Sequence, residues 1–386
     1  MIVTCLLVIF FYSAIAFPNL KSSPSSVMPS TGMPVSGIPS SVPSSSNPTS
    51  LAKLSIDSYN GLQSIYISLK GDQWKWKPVE TFGSKWEFSN YTYHDPCLNK
   101  WQGVGCRVER DGSFSLVSLK LSEYNLQGSL PSEIFVTGFS SLEIMNFTNN
   151  SISGSIPISV GSMTSIKTFL MSFNSLSGAL EPIQTLNFLE EIRLVSNMLT
   201  GQIPSGLWLV TTLKAIYLDS NFLTGTSFPL NSSALSSLNS LRLIRLQNND
   251  LSGCLPNNLG DLSSLTYLSV ANNALNGSIP SSIGRLERLQ FLFLSQNYIR
   301  GTIPSTIGDL FDLQSLILNS NDLSGSIPSS LGGLRSLSLL YLYDNYLRNT
   351  IPSSLGNLSN VKRILLGNNT LTGRYLLLFV HSYQYI

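Results

Sequence analysis

Between Thr266 and Asn357 the apolar positions recur in a six-residue motif that is repeated four times. It reads IPSSIG, IPSTIG, IPSSLG and IPSSLG, and the copies begin at Ile279, Ile303, Ile327 and Ile351, always 24 residues apart. A single unit of this length cannot bury its own hydrophobic face, and stacking of neighbouring units buries a continuous core. The period therefore predicts a solenoid of stacked coils rather than a single globule.

Within each unit the apolar residues predict one strand and one inward-facing surface. In one unit Leu289, Leu292, Leu294, Ile299 and Ile303 are expected to point inward. The central Leu-x-Leu alternation has the period of two that is typical of a strand, so neighbouring units should pair in a parallel sheet.

An asparagine that follows the strand marks the register of the whole array. It defines eleven units across residues 116–373, with Tyr124 in its place in the first unit and an insertion at Thr226–Ser237 in the fifth. An asparagine side chain supplies both a donor and an acceptor for backbone groups at a bend, so a structural role is expected. The ten marker residues are Asn150, Asn174, Asn197, Asn221, Asn249, Asn273, Asn297, Asn321, Asn345 and Asn369.

These units resemble the leucine-rich repeats of the Leu-x-Gly-x-Ile-Pro type found in plant receptor ectodomains. The resemblance covers about two thirds of the chain. It implies an α/β solenoid, a right-handed leucine-rich repeat superhelix with a parallel concave β-sheet.

Residues 51–115 predict a cap on the first repeat. Apolar residues at three-to-four spacing from Leu51 to Leu69 predict a helix that stops at Gly71. The segments Asp95-Pro96-Cys97 and Trp101-Gln102-Gly103-Val104-Gly105-Cys106 are similar to the cysteine-paired, partly helical cap of plant leucine-rich repeat proteins. That resemblance implies a disulfide between Cys97 and Cys106. For the leftover Cys254, a buried free thiol is favoured over an intermolecular bridge.

Three segments lie outside the cap and the repeats. Residues 1–16 form an apolar run ending in Ala14-Ile15-Ala16, which predicts a secretory signal peptide, with a buried N-terminal helix as the alternative. Residues 17–50 are rich in Pro and Ser and predict a disordered arm. Residues 374–386 depart from the repeat. They either cover the open end of the solenoid or mark a truncated receptor-like product, and they contain no apolar stretch long enough to span a membrane.

Seven Asn-x-Ser/Thr sequons agree with an extracellular location, although a chain rich in Asn and Ser produces some by accident. The candidate glycosylation sites are Asn90, Asn146, Asn149, Asn231, Asn276, Asn357 and Asn368.

Composition and spacing argue against chemistry and against nucleic-acid binding. The net charge is +2 and only 11% of the residues are charged, so no basic surface for nucleic acid is expected. The two histidines, His94 and His381, have no catalytic motif around them, and Cys97 with Cys106 and His94 makes a poor metal-ligand set. We therefore expect no enzymatic activity, no catalytic residue, no metal and no cofactor.

The strand residues between the inward leucines predict a binding face on the concave sheet. One column should run through Lys120, Asn146, Leu170, Arg193, Tyr217, Arg245, Ser269, Phe293, Ile317, Tyr341 and Leu365. A polar patch in units four to six and an aromatic patch in units seven to ten are typical of an interface, although β-propensity alone also places aromatic residues in strands. The candidate contact residues are Arg193, Tyr217, Asp219, Arg245, Tyr267, Phe291, Phe293, Ile317, Tyr341 and Tyr343.

The leading hypothesis is a secreted or cell-surface recognition protein that binds a protein, peptide or glycan on this face. The resemblance implies roles in receptor signalling, defence or adhesion, with a membrane co-receptor as a possible further partner. The alternatives are an inhibitor of a secreted cell-wall hydrolase, the truncated ectodomain of a leucine-rich repeat receptor kinase, and a structural wall protein.

Overall fold

Each repeated unit folds into one coil of a solenoid. The structure is a computed structural model, and it describes residues 53–88, 94–133, 135, 138–229 and 233–373. The expected signal peptide (1–16), the arm (17–50) and the tail (374–386) lie outside the described residues, as do Asn90 and Asn231. No helix in the described part of the chain is long and apolar enough to cross a membrane.

One large sheet lines the concave side. In the described residues it has twelve strands, of which the first two form an antiparallel hairpin and the remaining neighbours are parallel. Each of the eleven units contributes one parallel strand, which confirms the predicted parallel-sheet solenoid. In order, the strands are Val104–Val108, Phe114–Lys120, Ile144–Asn146, Thr168–Leu170, Glu191–Arg193, Ala215–Tyr217, Leu243–Arg245, Tyr267–Ser269, Phe291–Phe293, Ser315–Ile317, Leu339–Tyr341 and Arg363–Leu365.

The back of each coil carries a short strand and, in most units, one 3₁₀ turn. The back strands are Gln127–Ser129, Ser151–Ser155, Ser175–Gly178, Met198–Gln202, Phe222–Thr224, Ser252–Cys254, Ala274–Asn276, Arg300–Thr302, Asp322–Gly325, Tyr346–Thr350 and Thr370–Thr372. The 3₁₀ turns of the coils are Ile158–Ser162, Glu181–Ile183, Ser205–Leu209, Leu259–Asp261, Ser281–Arg285, Ser305–Asp309, Ser329–Gly333 and Ser353–Asn357, and a further 3₁₀ turn, Gly71–Gln73, belongs to the cap.

The described part of the insertion in unit five lies at the back of the coil. The short helix Ser233–Ser236 stands there in place of a 3₁₀ turn. On the concave side Ala215 still pairs with Leu243 and Tyr217 with Arg245, so the register continues unbroken across the insertion.

The inward-facing leucines form one continuous apolar core. Leu289, Leu292 and Leu294 are fully buried, and Ile299 and Ile303 are almost so. These are the inward residues that the period predicts for this unit, and the equivalent positions of the neighbouring units join them in the same core.

A ladder of asparagine side chains holds the bend after each strand. Asn297 Nδ2 donates to the carbonyl oxygens of Val270 (3.0 Å) and Leu294 (3.1 Å), and its Oδ1 accepts from the backbone N–H of Leu275 (2.9 Å). Each side chain therefore joins its own coil to the preceding one. The structural role that the sequence predicts is confirmed at all ten positions.

A left-handed residue precedes every ladder asparagine, and the sequence pattern does not reveal it. The φ angles of Asn149, Phe173, Ser220 and Gln296, for example, are 56°, 57°, 61° and 55°. Asparagine tolerates this conformation, whereas a bulky residue such as phenylalanine adopts it only when its surroundings fix it. The bend is therefore imposed by the stacked coils rather than by local preference.

The cap closes the first repeat with a helix, an aromatic cluster and a disulfide. The helix Ile56–Ser68 begins at Ser55, whose side chain accepts a hydrogen bond from the N–H of Ser58, and a second short helix spans Val79–Phe82. Cys97 and Cys106 form the disulfide that the resemblance implies, with their Cα atoms 5.8 Å apart. The partly helical, disulfide-closed cap is thereby confirmed.

Gln102 joins the cap to the first repeat. Its Nε2 donates to the carbonyl oxygens of Lys77 (2.8 Å) and Gly83 (2.9 Å), while its Oε1 accepts from the N–H of Lys77 (3.1 Å) and the hydroxyl of Tyr124 (3.2 Å). Tyr124, which occupies the asparagine position of unit one, is thus tied to the cap. Gln102 is fully buried, and its amide completes the polar network where the ladder begins.

The expectation of a buried thiol at Cys254 is wrong. Cys254 is exposed, and its Sγ lies 3.3 Å from Asn276 Oδ1 in the next coil. It is the last residue of a back strand, where the side chain after Gly253 points outward and the following Leu255 points into the core.

The burial of Leu292 predicts a large effect of its truncation. Leu292→Ala should lower the free energy of unfolding by about 2–5 kcal/mol, because it removes buried methyl groups and leaves a cavity between coils. Tyr298→Ala in the same unit, whose side chain is 62% exposed, is the matched control and should change it by less than about 0.5 kcal/mol. Urea unfolding measures both. A Leu292→Ala loss as small as that of the control would show that the inward assignment is wrong.

Candidate ligand-binding face

The parallel pairing places the predicted column of strand residues in register. Arg193 pairs with Tyr217, and Tyr217 with Arg245; farther along the sheet, Phe293 pairs with Ile317 and Ile317 with Tyr341. Successive members of the column lie about 4.8 Å apart, the spacing of hydrogen-bonded strands. The concave face therefore presents one side chain from each coil along a continuous line.

Two arginines flank Tyr217 in the polar patch. The guanidinium carbon of Arg193 lies 4.3 Å from the centre of the Tyr217 ring, and that of Arg245 lies 5.8 Å from it. Arg193 also forms an ion pair with Glu191, a concave residue that the sequence analysis did not single out. Stacking and pairing hold these side chains against the sheet, so the patch is largely preorganised.

Asp219 lies at the floor of this patch. Only 3% of Asp219 is exposed, and its Oδ2 accepts a hydrogen bond from Arg245 Nη2 at 2.9 Å. Burial raises the pKa of the Asp219 carboxyl above its ordinary value, and the positive charge of Arg245 opposes that effect without cancelling it. The sequence predicts that Asp219 contacts the ligand. Because Asp219 is buried, only a ligand group that reaches the floor of the polar patch could make that contact.

The aromatic patch divides into two clusters. Tyr267 contacts Phe291 and Phe293, with ring centres 5.6 and 5.4 Å apart, and Tyr341 contacts Tyr343 at 6.3 Å. All five rings are half-buried, and burial raises the pKa of Tyr267 to about 12. These side chains are partly exposed while contacts with neighbouring rings restrict their orientation, as is typical of binding surfaces.

Ile317 is covered rather than exposed. It lies in register between Phe293 and Tyr341 and is only 8% exposed. The sequence analysis counts it among the contact residues, whereas in the structure the flanking rings shield it. We name the half-buried rings of Tyr267, Phe291, Phe293, Tyr341 and Tyr343 the aromatic strip.

The described sequons differ in position. Asn146 is half-buried on the concave strand of unit two, whereas Asn149, Asn276, Asn357 and Asn368 are exposed. Asn368 donates to Asp344 Oδ1 at 2.7 Å near the strand ends of units ten and eleven. The exposed side chains are placed where a glycan would meet solvent, and their glycosylation stays a prediction.

The histidine and the potential metal ligands of the described residues are dispersed. His94 contacts Glu87 in the cap, with Nδ1 and Oε2 3.3 Å apart, and His381 lies outside the described residues. No group of three or more His, Cys, Asp or Glu side chains in the described ranges is arranged to hold a metal ion.

The buried Asp219 predicts a distinctive dependence of stability on pH. A raised pKa means that the folded protein holds this proton more tightly than the unfolded chain does. The resulting stabilisation is present below the ordinary value of 3.8 and is lost as pH rises through the raised pKa. Asp219→Asn carries no such dependence, so its stability relative to the native protein should increase between about pH 3 and pH 7.

Urea unfolding across that pH range measures the difference. Asp250→Asn, which changes an exposed carboxylate in the next unit, is the control. If the relative stability of Asp219→Asn falls with pH, the attraction of Arg245 outweighs burial and the assigned direction is wrong.

Comparison with known proteins agrees with this architecture. A family model described as a leucine-rich repeat region matches residues 218–375, and one described as a leucine rich repeat matches residues 141–163. Protein STRUBBELIG-RECEPTOR FAMILY 3 of Arabidopsis thaliana is 33% identical over 99 residues, which are 25% of this chain and 12% of that protein.

Solved receptor structures cover more of the chain. The Arabidopsis receptor kinase HAESA, in complex with the peptide hormone IDA and the co-receptor SERK1, is 33% identical with a TM-score of 0.63, over 67% of this chain and 42% of that one. The plant peptide hormone receptor RGFR1, in complex with RGF2, is 32% identical with a TM-score of 0.60, over 66% and 44%. This chain thus spans less than half the length of each of these three receptors. Residues 141–163 and 218–375 thus match leucine-rich repeat models, and the chain resembles plant receptor ectodomains.

Proposed function

We propose that this protein is a non-enzymatic extracellular recognition protein that binds a peptide on its concave face. The observation that carries the proposal is the aromatic strip, whose rings come from units seven, eight and ten of the continuous sheet, beside the polar patch. Exposed aromatic faces of this density favour an interface over scattered strand residues. An extended peptide lying across the coils would meet one side chain from each unit.

The comparisons support a peptide over the other ligand classes. RGFR1 is described as a peptide hormone receptor in complex with RGF2, and HAESA as a receptor kinase in complex with a peptide hormone and a co-receptor. A co-receptor is accordingly a second proposed partner. Whether this chain is the ectodomain of a longer receptor kinase is decided by the gene sequence that follows Ile386.

The alternative of a hydrolase inhibitor receives less support from the charges. It requires Arg193 and Arg245 to face an acidic cleft. In the structure Arg193 is paired with Glu191 and Arg245 with Asp219, so both charges are largely neutralised within the patch. This column therefore does not form a strongly positive surface that would attract an acidic enzyme.

Removal of two rings of the aromatic strip should abolish most of the binding. Peptides selected on the native protein from a displayed library of linear 12-residue sequences serve as the ligand. Phe293→Ala combined with Tyr341→Ala should weaken their affinity at least about tenfold, because buried aromatic anchors carry much of an interface's energy. Calorimetry measures the affinity and a thermal melt checks the fold.

The same two coils provide the control. Tyr298→Ala combined with Tyr346→Ala removes two rings that are each 62% exposed outside the strands of the concave sheet, in units eight and ten. This pair should leave affinity unchanged. Equal affinities for the two double variants would refute the concave strip as the binding face.

Secretion is proposed from the apolar N-terminus and from the disulfide. Cys97–Cys106 is typical of an oxidising compartment, and the run ending at Ala16 has the form of a signal peptide. N-terminal sequencing of protein from the medium of a eukaryotic host should begin at Phe17. Leu7→Asp with Ile9→Asp, which interrupts the apolar run, should keep the protein inside the cell. Medium protein that still carries Met1 would contradict cleavage.

A further inference from the structure

Three polar side chains form a small cluster on the floor of the concave face between units five and six. Asp219 follows the strand Ala215–Tyr217, Arg245 ends the strand Leu243–Arg245, and Gln247 follows that strand. Ser220 N–H donates to the carbonyl of Gln247 at 2.9 Å, which places Asp219 and Gln247 at equivalent positions in adjacent coils. We call Asp219, Arg245 and Gln247 the polar cluster.

The polar cluster makes one internal hydrogen bond and leaves three polar atoms unpartnered. Arg245 Nη2 donates to Asp219 Oδ2, but Asp219 Oδ1, Arg245 Nε and Gln247 Oε1 have no partner in the structure, and all three are shielded from solvent. An arginine can take a carboxylate through two parallel hydrogen bonds, and here only one is made. Buried polar atoms without partners are costly, so native structures retain them where another group completes them.

The unpartnered atoms specify the chemistry of the missing group. Two are acceptors, on Asp219 and Gln247, and one is a donor, on Arg245. The charges of Asp219 and Arg245 cancel. A carboxylate supplies only acceptors, so it could not pair with the oxygens of Asp219 and Gln247. An ammonium group supplies only donors, so it could not pair with Arg245 Nε. A primary amide is neutral and carries both donors and an acceptor on separate atoms.

The depth and the neighbours of the polar cluster favour a side chain over a ligand backbone. Asp219 is 3% exposed, so the completing group must reach below the half-buried rings of Tyr217 and Tyr267. In unit seven the residues in register with Arg245 and Gln247 are Ser269 and Ala271, both small. The coil beside the cluster thus presents no bulky side chain at these two positions.

A further unpartnered acceptor lies in the same column, three coils beyond Gln247. Asn319 is 1% exposed, its Oδ1 has no partner, and it lies in register with Tyr343 of the aromatic strip in the next coil. Four coil spacings of about 4.8 Å separate it from Asp219, a length of about 19 Å that roughly six residues of extended peptide would span. Both ends of such a peptide would meet acceptors at the floor of the face.

We propose that Asp219, Arg245 and Gln247 form a subsite for the side-chain amide of an Asn or Gln residue in the bound peptide. This inference rests on the proposed peptide-binding function and adds the chemical class of one ligand residue. It gives Asp219 a direct ligand contact and Gln247 a role that the sequence pattern does not indicate.

Defined peptide pools test the subsite. The probes are hexapeptides with an acetylated N-terminus and a dimethylamide C-terminus, so that neither end carries a charge or a primary amide. One position at a time is fixed as Asn, Gln, Ser, Asp or Lys while the others are randomised. Retention on the immobilised full-length protein is measured by mass spectrometry. At one position the Asn or Gln pool should be retained at least about fivefold over the Asp, Lys and Ser pools.

Charge-changing variants should move this preference in opposite directions. Asp219→Asn leaves the Arg245 charge uncompensated, so the preferred pool should become Asp. Arg245→Gln leaves the Asp219 charge uncompensated, so the preferred pool should become Lys. Gln247→Met, which changes no charge, should lower the preference for the amide pools without creating a charged one. The control Glu190→Gln alters an exposed ion pair with Lys214 (2.6 Å) and should leave the preference as it is.

The outcomes separate the subsite from the proposed function. If pools are retained and depend on Phe293 and Tyr341, but the preferred residue is unchanged in the polar-cluster variants that keep their thermal transition, the subsite is refuted and peptide binding stands. A native preference for the Asp, Lys or Ser pool also refutes it. Retention of no pool, together with capture of a cellohexaose probe, would overturn the peptide proposal and the subsite with it.

Discussion

The structure depends on the need to satisfy backbone groups where each coil bends away from its strand. At that bend the carbonyl groups of two adjacent coils and an N–H of the earlier coil lie where the strand ladder supplies no partner. A side chain such as Asn297 fills the gap with both a donor and an acceptor, and the same solution recurs in ten coils. Because the bend is fixed in this way, the leucines stack in one core and the strands keep a common register.

Because the core and the ladder use the leucines and asparagines, the concave side chains between them are free to vary. The leucines at 292 and 294 and the asparagine at 297 are fully committed to the core and to the ladder, whereas Phe293 between them contributes to neither. Unit six presents Arg245 at that position and unit seven presents Ser269, on the same backbone. The strand residues between the inward leucines can therefore vary and form a ligand-specific surface without altering the architecture. In this way one fold serves many binding functions.

The sequence predicts the parts of the fold that depend on period, and misses those that depend on contacts between coils. The register of Arg193, Tyr217 and Arg245 follows from counting, because the coils repeat and the strands are parallel. The burial of Asp219 and Ile317 does not follow, because it is decided by side chains about 24 residues away in the neighbouring coils. The left-handed Phe173 likewise carries no signal of its own, since the conformation is set by the coils on either side.

The hydrogen bonds of the ladder give the array a direction. Asn297 accepts from Leu275 and donates to Val270, both in the coil before its own, and the other nine asparagines reach backward in the same sense. A coil is therefore completed only by the coil that follows it. In unit one, which follows the cap instead of another repeat, Gln102 ties Tyr124 into the cap. The order in which the coils are completed is thus the order in which they are synthesised, from the cap toward the C-terminus.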